Sequence, residues 1–433
     1  MSARNRELFG LIPVALLVTA GFTAVFTAQR SEVGDLSLVF GGYFLAICFV
    51  THMAIRFRLP NADPYLFPLM ALLAAIGLVM IYRIDDSLAR DQANWFVLGL
   101  IVFIATITFL RDYQLLERYR YVIALVSLGL LVMPRLPFIG SQVNGAYLGV
   151  DLGPLAFQPA ELAKIGVVIF LASYLRDRRE VMIVGARRFA GLVLPPLKHL
   201  GPLLVVWGAA MLMLVFIRDL GSSLMFFGAF LALIYVATNR FSFVLIGFVM
   251  FLAGAWFFAS TVGHVQDRVD IWLDPYADPE GAGFQVLQSM FAQADGGLFG
   301  QGIGASLLIQ PNGSPLIPEV QTDLIYALIV DELGLFGGAA VILTYVLISA
   351  RGFKTAVVAE DGFSKLLAAG LTAVFALQAF VIIGGVTRVI PLTGVTLPFV
   401  SYGGSSIVAN MILLALLLLI SDRARRPRQE ASA

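Results

Sequence analysis

The sequence predicts an all-α protein that crosses a membrane many times, and three observations carry that expectation. Mean hydropathy is +0.88, with 59% hydrophobic and 13% charged residues, a balance outside the range of soluble domains. The apolar residues collect into twelve runs, several close to the ~20 residues that a spanning helix needs. The basic residues alternate between segments in a way that orients the chain. Placing the N-terminus in the cytoplasm puts 21 of the 29 Lys and Arg residues in cytoplasmic segments, with 7 on the other side and Lys164 inside a span. Basic residues are retained on the cytoplasmic side, so both termini are expected there.

In chain order the runs cover 8–28, 37–55, 65–82, 93–110, 121–134, 160–175, 202–217, 222–238, 241–260, 322–349, 366–387 and 404–421. The first is too long for a signal-peptide core and no convincing small-residue cleavage site follows it, so it reads as a span. Several runs are short, which leaves a count of ten or eleven open. The longest segment between runs is 261–320, expected on the outer side. A loop of that length is usually functional or disordered. Here "FQVLQSMFA" (284–292) has helical periodicity, and Trp272, Phe284, Met290 and Phe291 offer apolar surface for docking, so a folded cap over an outward-facing cavity is expected.

Several chemistries have no support. The one cysteine, Cys48, allows no internal disulfide, and His52, His199 and His264 are too scattered for a zinc cluster. No SxxK nucleophile exists, since Glu161, Pro195, Arg351 and Gly362 stand three residues before the four lysines. Ser401 has no GxSxG around it, and "GQGIG" (300–304) lacks the spacing of a nucleotide-binding turn. A net charge of +1 with dispersed basic residues forms no nucleic-acid patch.

The polar chemistry lies at a few places. "WLDPYADPEGAGFQVLQS" (272–289) holds two Asp-Pro pairs, at Asp274 and Asp278. Asp before Pro suits a helix cap, with Gly281 and Gly283 permitting a tight turn; alternatively, one carboxylate held against a partly dry cavity acts as a general base. Glu161 and Lys164 are three apart on one helical face and can pair. Asp219 adjoins Arg218 at a span boundary, where an interfacial ion pair is the plain reading. Asp323, Asp331 and Glu332 near the start of the tenth run cannot all face lipid, and imply a hydrated cavity or a helix interruption. "PLTGVTLPFVSYGGSS" (391–406) is too irregular to be a lipid-exposed helix.

Four blocks, "NGAYLGVDLGPLAFQPAELAKI" (144–165), "RDLGSSL" (218–224), "DPYADPEGAGFQVLQSMFAQADGGLFGQGIG" (274–304) with "TDLIYALIVDELGLFG" (322–337), and 391–406, together resemble the SEDS family of shape, elongation, division and sporulation proteins. The "RDLG" form and the two leading spans are nearer its RodA-like members than its FtsW-like ones. The resemblance implies a bundle of about ten core helices over 65–421, a two-helix N-terminal extension over 1–64 and a basic cytoplasmic tail over 422–433, about twelve spans in all. It implies a peptidoglycan glycosyltransferase that polymerises lipid II into glycan strands at the outer membrane face, for elongation or division, with a class B penicillin-binding protein as partner. The family's proposed catalytic aspartate falls on Asp278, in "DPEGAGFQ". Substrate-binding or cavity candidates are Glu161, Lys164, Asp219, Arg268, Gln285, Gln288, Ser289, Asp323, Arg388 and Ser401. The chain departs from the family after Gly145-Ala146 in "GAYLGVDLG", which lacks the usual Arg-Trp, at Phe284 in place of Tyr, and at Arg218 in place of Pro.

In such a reaction diphosphate leaves readily, so one base suffices and a paired acid is not obligatory. Cations must meet the charge that builds on the diphosphate. The expected outer side offers Arg83, Arg90, Arg135, Arg218, Arg268 and Arg388, with Lys164 below. A divalent cation such as Mg or Mn would supplement them, although no diagnostic ligand set is visible. Two other readings compete: a flippase for lipid-linked sugar, which buried charges would also suit, and a non-enzymatic scaffold for cell-wall enzymes.

Overall fold

A computed structural model of the protein describes residues 2–30, 35–110, 112–143, 146–151, 153, 156–184, 187–189, 192–194, 208, 219–310 and 314–426. A backbone in lipid has no water to bond to, so apolar sequence closes its hydrogen bonds within helices. Fourteen α-helices result among the described residues. They are α1 (Ala3–Arg30), α2 (Asp35–Arg58), α3 (Leu66–Ile84), α4 (Asp86–Phe109), α5 (Leu115–Arg118), α6 (Arg120–Val132), α7 (Pro159–Val184), α8 (Leu220–Thr238), α9 (Phe241–Thr261), α10 (Gly263–Leu273), α11 (Phe284–Asp295), α12 (Ile325–Val358), α13 (Gly362–Val386) and α14 (Gly404–Ala424).

Nine of them are long and apolar enough to cross a membrane, which makes this a multi-pass membrane protein. The expected runs at 121–134 and 160–175 also form helices. However, α6 has only 13 residues, and α7 carries Glu161, Lys164 and a charged stretch at 176–180. Apart from residue 208, the run 202–217 lies outside the described residues, as does Arg218. Between α6 and α7 the chain forms a small antiparallel sheet not anticipated from the sequence, β1 (Gly140–Val143), β2 (Ala146–Asp151) and β3 (Ala156–Phe157).

The long segment after α9 is folded, as expected. The helix foreseen over 284–292 is α11. Trp272 on α10 donates from Nε1 to the Arg388 carbonyl at 3.0 Å, and Arg388 returns bonds to the Trp272 and Leu273 carbonyls at 2.8 and 2.7 Å. Phe284 packs on the core, but Phe291 does not dock; it remains 45% exposed.

The interruption implied by Asp331 and Glu332 is present. Gly334 has φ 70° and ψ −174°, which breaks α12. The carbonyls freed there accept from Gln301 and Gly302 amides at 2.9 and 3.1 Å, while the Leu335 and Phe336 amides donate to Gly297 and Leu298. Both acidic side chains are buried. Asp331 accepts from Ser306 Oγ and the Leu307 amide, and Glu332 accepts from the Gly304 amide and pairs with Arg83 at 3.2 Å. Their second oxygens, Asp331 Oδ1 and Glu332 Oε2, are buried with no hydrogen-bond partner among the described residues.

At the opposite end of the bundle, Asp63 accepts from Arg351, Arg425 and the Tyr65 amide. Burial alone would raise this carboxyl, but these three partners together bring it below the usual carboxylate range. A depressed carboxyl contributes stability above its unfolded pKa, about 4, and loses it as the pH falls through the lower folded value. Asp63→Asn should therefore cost about 1.5–3 kcal/mol at neutral pH, and detergent unfolding curves should begin to approach wild type below about pH 4 and converge only below the lowered folded value. On α3, a Cβ added at Gly77 would stand 2.5 Å from the Val400 carbonyl oxygen. Gly77→Ala should cost about 1–3 kcal/mol, read as a lowered Tm, because backbone must move.

Candidate active site

Two adjoining cavities open on the cap side of the bundle, of about 340 and about 280 Å³. The first lies under α10 and α11 and is lined by Trp272, Gln285, Arg388 and Leu392. The second reaches toward the small sheet and is lined by Gln158, Asp219, Glu319, Thr396 and Tyr402. Arg268 and Asp323 line both.

Local structure explains each placement. Arg268 projects from α10, and its Nη1 donates to the Leu392 carbonyl at 2.7 Å, which fixes the guanidinium against the loop before α14. Gly394 in that loop has φ 72°, and a Cβ there would sit 3.5 Å from Asp323 Oδ2 and 3.8 Å from an Arg268 nitrogen. The glycine thus leaves room for the two charges to face the same space. Asp323 precedes α12. Burial raises its carboxyl first and Glu319 adds to this, and despite Arg268 it titrates at about 7. Asp219 caps α8 by accepting from the Ser222 amide at 2.8 Å. Its Oδ2 is buried with no hydrogen-bond partner among the described residues, and burial raises this carboxyl as well.

Glu161 and Lys164 pair as expected, at 2.5 Å, and both are buried behind the second cavity. Gln378 joins them to it. Its oxygen accepts from Lys164 at 2.7 Å and its nitrogen donates to the carbonyl of Thr396, a cavity residue, at 2.9 Å. Ser401 is buried behind the wall, donating to the Thr322 carbonyl and accepting from the Leu397 amide. Ser289 is buried beneath Gln293 and Gln288 is half-buried; neither lines the cavities.

Asp278 does not face a dry cavity. It is exposed, and its two oxygens accept from the Gly281 and Ala282 amides at 3.1 and 2.9 Å. A Cβ at Gly283 would lie 2.0 Å from the Pro275 carbonyl, so the turn closes tightly and aims its amides back at the carboxylate. Ala282, whose amide Asp278 accepts, lines the first cavity, so Asp278 stands beside it while lining neither cavity. Asp274 likewise caps a turn, accepting from the Tyr276 amide. Among the described residues no group of three or more His, Cys, Asp or Glu is arranged to hold a metal ion.

The model of a family described as "Cell cycle protein" (FTSW_RODA_SPOVE) matches residues 64–426. The chain belongs to the FtsW/RodA/SpoVE family. It is 42% identical to the peptidoglycan glycosyltransferase RodA of Mycobacterium tuberculosis, over 98% of this chain and 92% of the relative. It is 31% identical to the stage V sporulation protein E of Bacillus subtilis, over 84% and 98%. Among solved structures it is similar to a chain from a peptidoglycan synthase complex, studied for the coordination of polymerization and crosslinking, with TM-score 0.68 and 26% identity over 84% and 99% of the two chains. It is also similar to a mutant form of the rod shape determining protein RodA of Thermus thermophilus, with TM-score 0.60 and 25% identity over 84% and 99%.

Gln378, Gln92 and Glu319 were not singled out from the sequence. Gln378, in "FALQAF", and Gln92, at the mouth of a span, carry a readable signal, since an amide at membrane depth needs partners. Gln92 finds them in the Ser401 carbonyl at 3.0 Å and the Gly403 amide at 3.2 Å. Glu319 carries no such signal. Because the Asp323 carboxyl is raised, its contribution to stability is full below the unfolded value of about 4 and is lost as pH rises through about 7. Unfolding of Asp323→Asn should lack that loss, which pH-dependent thermal melts in detergent would measure.

Proposed function

We propose that this protein is a peptidoglycan glycosyltransferase that polymerises lipid II into glycan strands, with the cap on the outer face of the cytoplasmic membrane and both termini in the cytoplasm. A class B penicillin-binding protein is its partner and supplies the crosslinking. The observation that carries this reading is the polar double cavity, built around Arg268 and Asp323 at the cap-side ends of an apolar bundle, in a chain of this family.

The reaction needs three things from these residues. Arg268, and Arg388 where its guanidinium is not spent on carbonyls, meet the negative charge as the diphosphate leaves with the bonding electron pair. Asp219 and Glu319 offer acceptors for sugar hydroxyls. The acceptor 4-hydroxyl attacks C1 of the donor sugar and gives its proton to a carboxylate, for which Asp278 beside the first cavity is our assignment. Asp323 lines both cavities, and its titration near neutrality suits acid–base work. The polyprenyl tails stay in the bilayer beside the apolar helices.

Polymerisation of lipid II in detergent by the purified chain with its class B partner is the test. Asp278→Asn should reduce the rate by about 10² to 10⁴-fold while leaving complex formation intact. Full activity in Asp278→Asn together with loss in Asp323→Asn would move the base to Asp323. Absence of glycan strands from the wild-type complex would leave the flippase or scaffold readings, because detergent offers no second compartment.

A further inference from the structure

Helices α1 and α2 precede the residues that the family model matches, and they create a groove that the core would not have by itself. It is an almost wholly apolar cleft of about 280 Å³ between this hairpin and α3 and α4. Phe22, Tyr43 and Phe44 form the hairpin wall, and Tyr82 and Phe96 form the core wall. The walls are held by rings in contact. Phe44 stacks on Phe96 at 5.4 Å and 9°, and Phe22 meets Tyr82 edge-on at 5.3 Å. Tyr43 and Val97 are 68% and 39% exposed, so the groove is open sideways, toward where the lipid lies.

The groove has direction. At its cap-side end Arg90 stands one turn into α4, where a phosphate headgroup would sit. Arg83 and Asp91 are engaged away from Arg90, whereas Asp85 also feels the charge of Arg90. Arg83 is held by the Gly304 carbonyl and Glu332. Asp85 caps α4 through the Ser87 and Leu88 amides. Asp91 acts on Tyr402, on the cavity side of the helix. Asp86, one turn above, gives its carbonyl to Arg90 Nε at 3.3 Å, while Arg90 itself remains exposed.

We propose that this groove binds one anionic phospholipid of the cap-side leaflet, its phosphate on Arg90 and an acyl chain along the aromatic walls. The polyprenyl carrier of the substrate is a poorer occupant on geometric grounds. The opposite face of α4 holds the cavity loop, through Gln92 to Ser401 and Gly403 and through Trp95 packed on Gly404. That helix therefore stands between the groove and the place where the diphosphate must react.

The full chain in nanodiscs, labelled with phosphatidylglycerol or phosphatidylcholine carrying the same photoactivatable acyl chain, tests this by mass-spectrometric mapping. Phosphatidylglycerol should label the segments around Tyr43 and Val97 about fivefold more than phosphatidylcholine, the preference expected of one basic residue at the headgroup level. Arg90→Gln should abolish that preference and keep the residual labelling. Ala93→Trp, which fills the groove, should remove labelling by both lipids. Gel filtration and unfolding profiles establish that each variant folds. Equal labelling by the two lipids, unchanged in Arg90→Gln, would overturn the proposal and leave the cleft as bulk-lipid contact. Displacement of phosphatidylglycerol by undecaprenyl diphosphate would overturn it in favour of a carrier site.

Discussion

The break in α12 at Gly334 is the constraint on which the cap depends. A helix interrupted at membrane depth leaves carbonyls and amides with no partner, and lipid supplies none. Residues 297–302 supply them in both directions across the break. Gly300 and Gly334 both have positive φ, and a Cβ on either would fall within 2.4 Å of the other strand's backbone. The cap is therefore bonded to the bundle by main chain, and side chains reinforce it through Ser306 to Asp331 and Gly304 to Glu332 and Arg83. The acids of "VDELG" serve this junction.

With the cap held there, α10 is fixed over the loop before α14, and the charges of the site follow. Arg268 is anchored from one side by the Leu392 carbonyl and faces Asp323 across the space that Gly394 leaves open. Behind the wall, Gln378 ties the Glu161–Lys164 pair to Thr396. Ser401 and Gln92 fasten the other end of the loop to the core. A loop of this irregularity is tolerated because nearly every turn of it has a protein partner. The same partners hold the cavity open without a regular element to line it.

The N-terminal hairpin is joined to the core at the opposite end as well. Arg4 bonds Glu7 and the Ala62 carbonyl, and Glu7 also takes His52 Nδ1 at 2.7 Å. Asp63 and Asp422 extend this polar layer to α12 and the end of α14 through Arg351, Arg425 and the Asn61 amide. Between that layer and the cap, contact with α3 and α4 is apolar, which is where the aromatic groove forms.

Composition, run length and the bias of basic residues were enough to predict a polytopic helical bundle, because burial of backbone in lipid leaves few other solutions. The α11 helix, the interruption near Glu332 and the Glu161–Lys164 pair were legible for the same reason, as local periodicity or as charges that lipid forbids. The order of the motif blocks pointed to the family. What a carboxylate does was not legible. Asp278 and Asp323 look alike in sequence, yet one is exposed and capped by its own turn, whereas the other faces Arg268 in a cavity whose lining is drawn from segments between Ser141 and Ser405. Only the tertiary structure decides burial and charge neighbours, because they depend on which distant segments the backbone brings together.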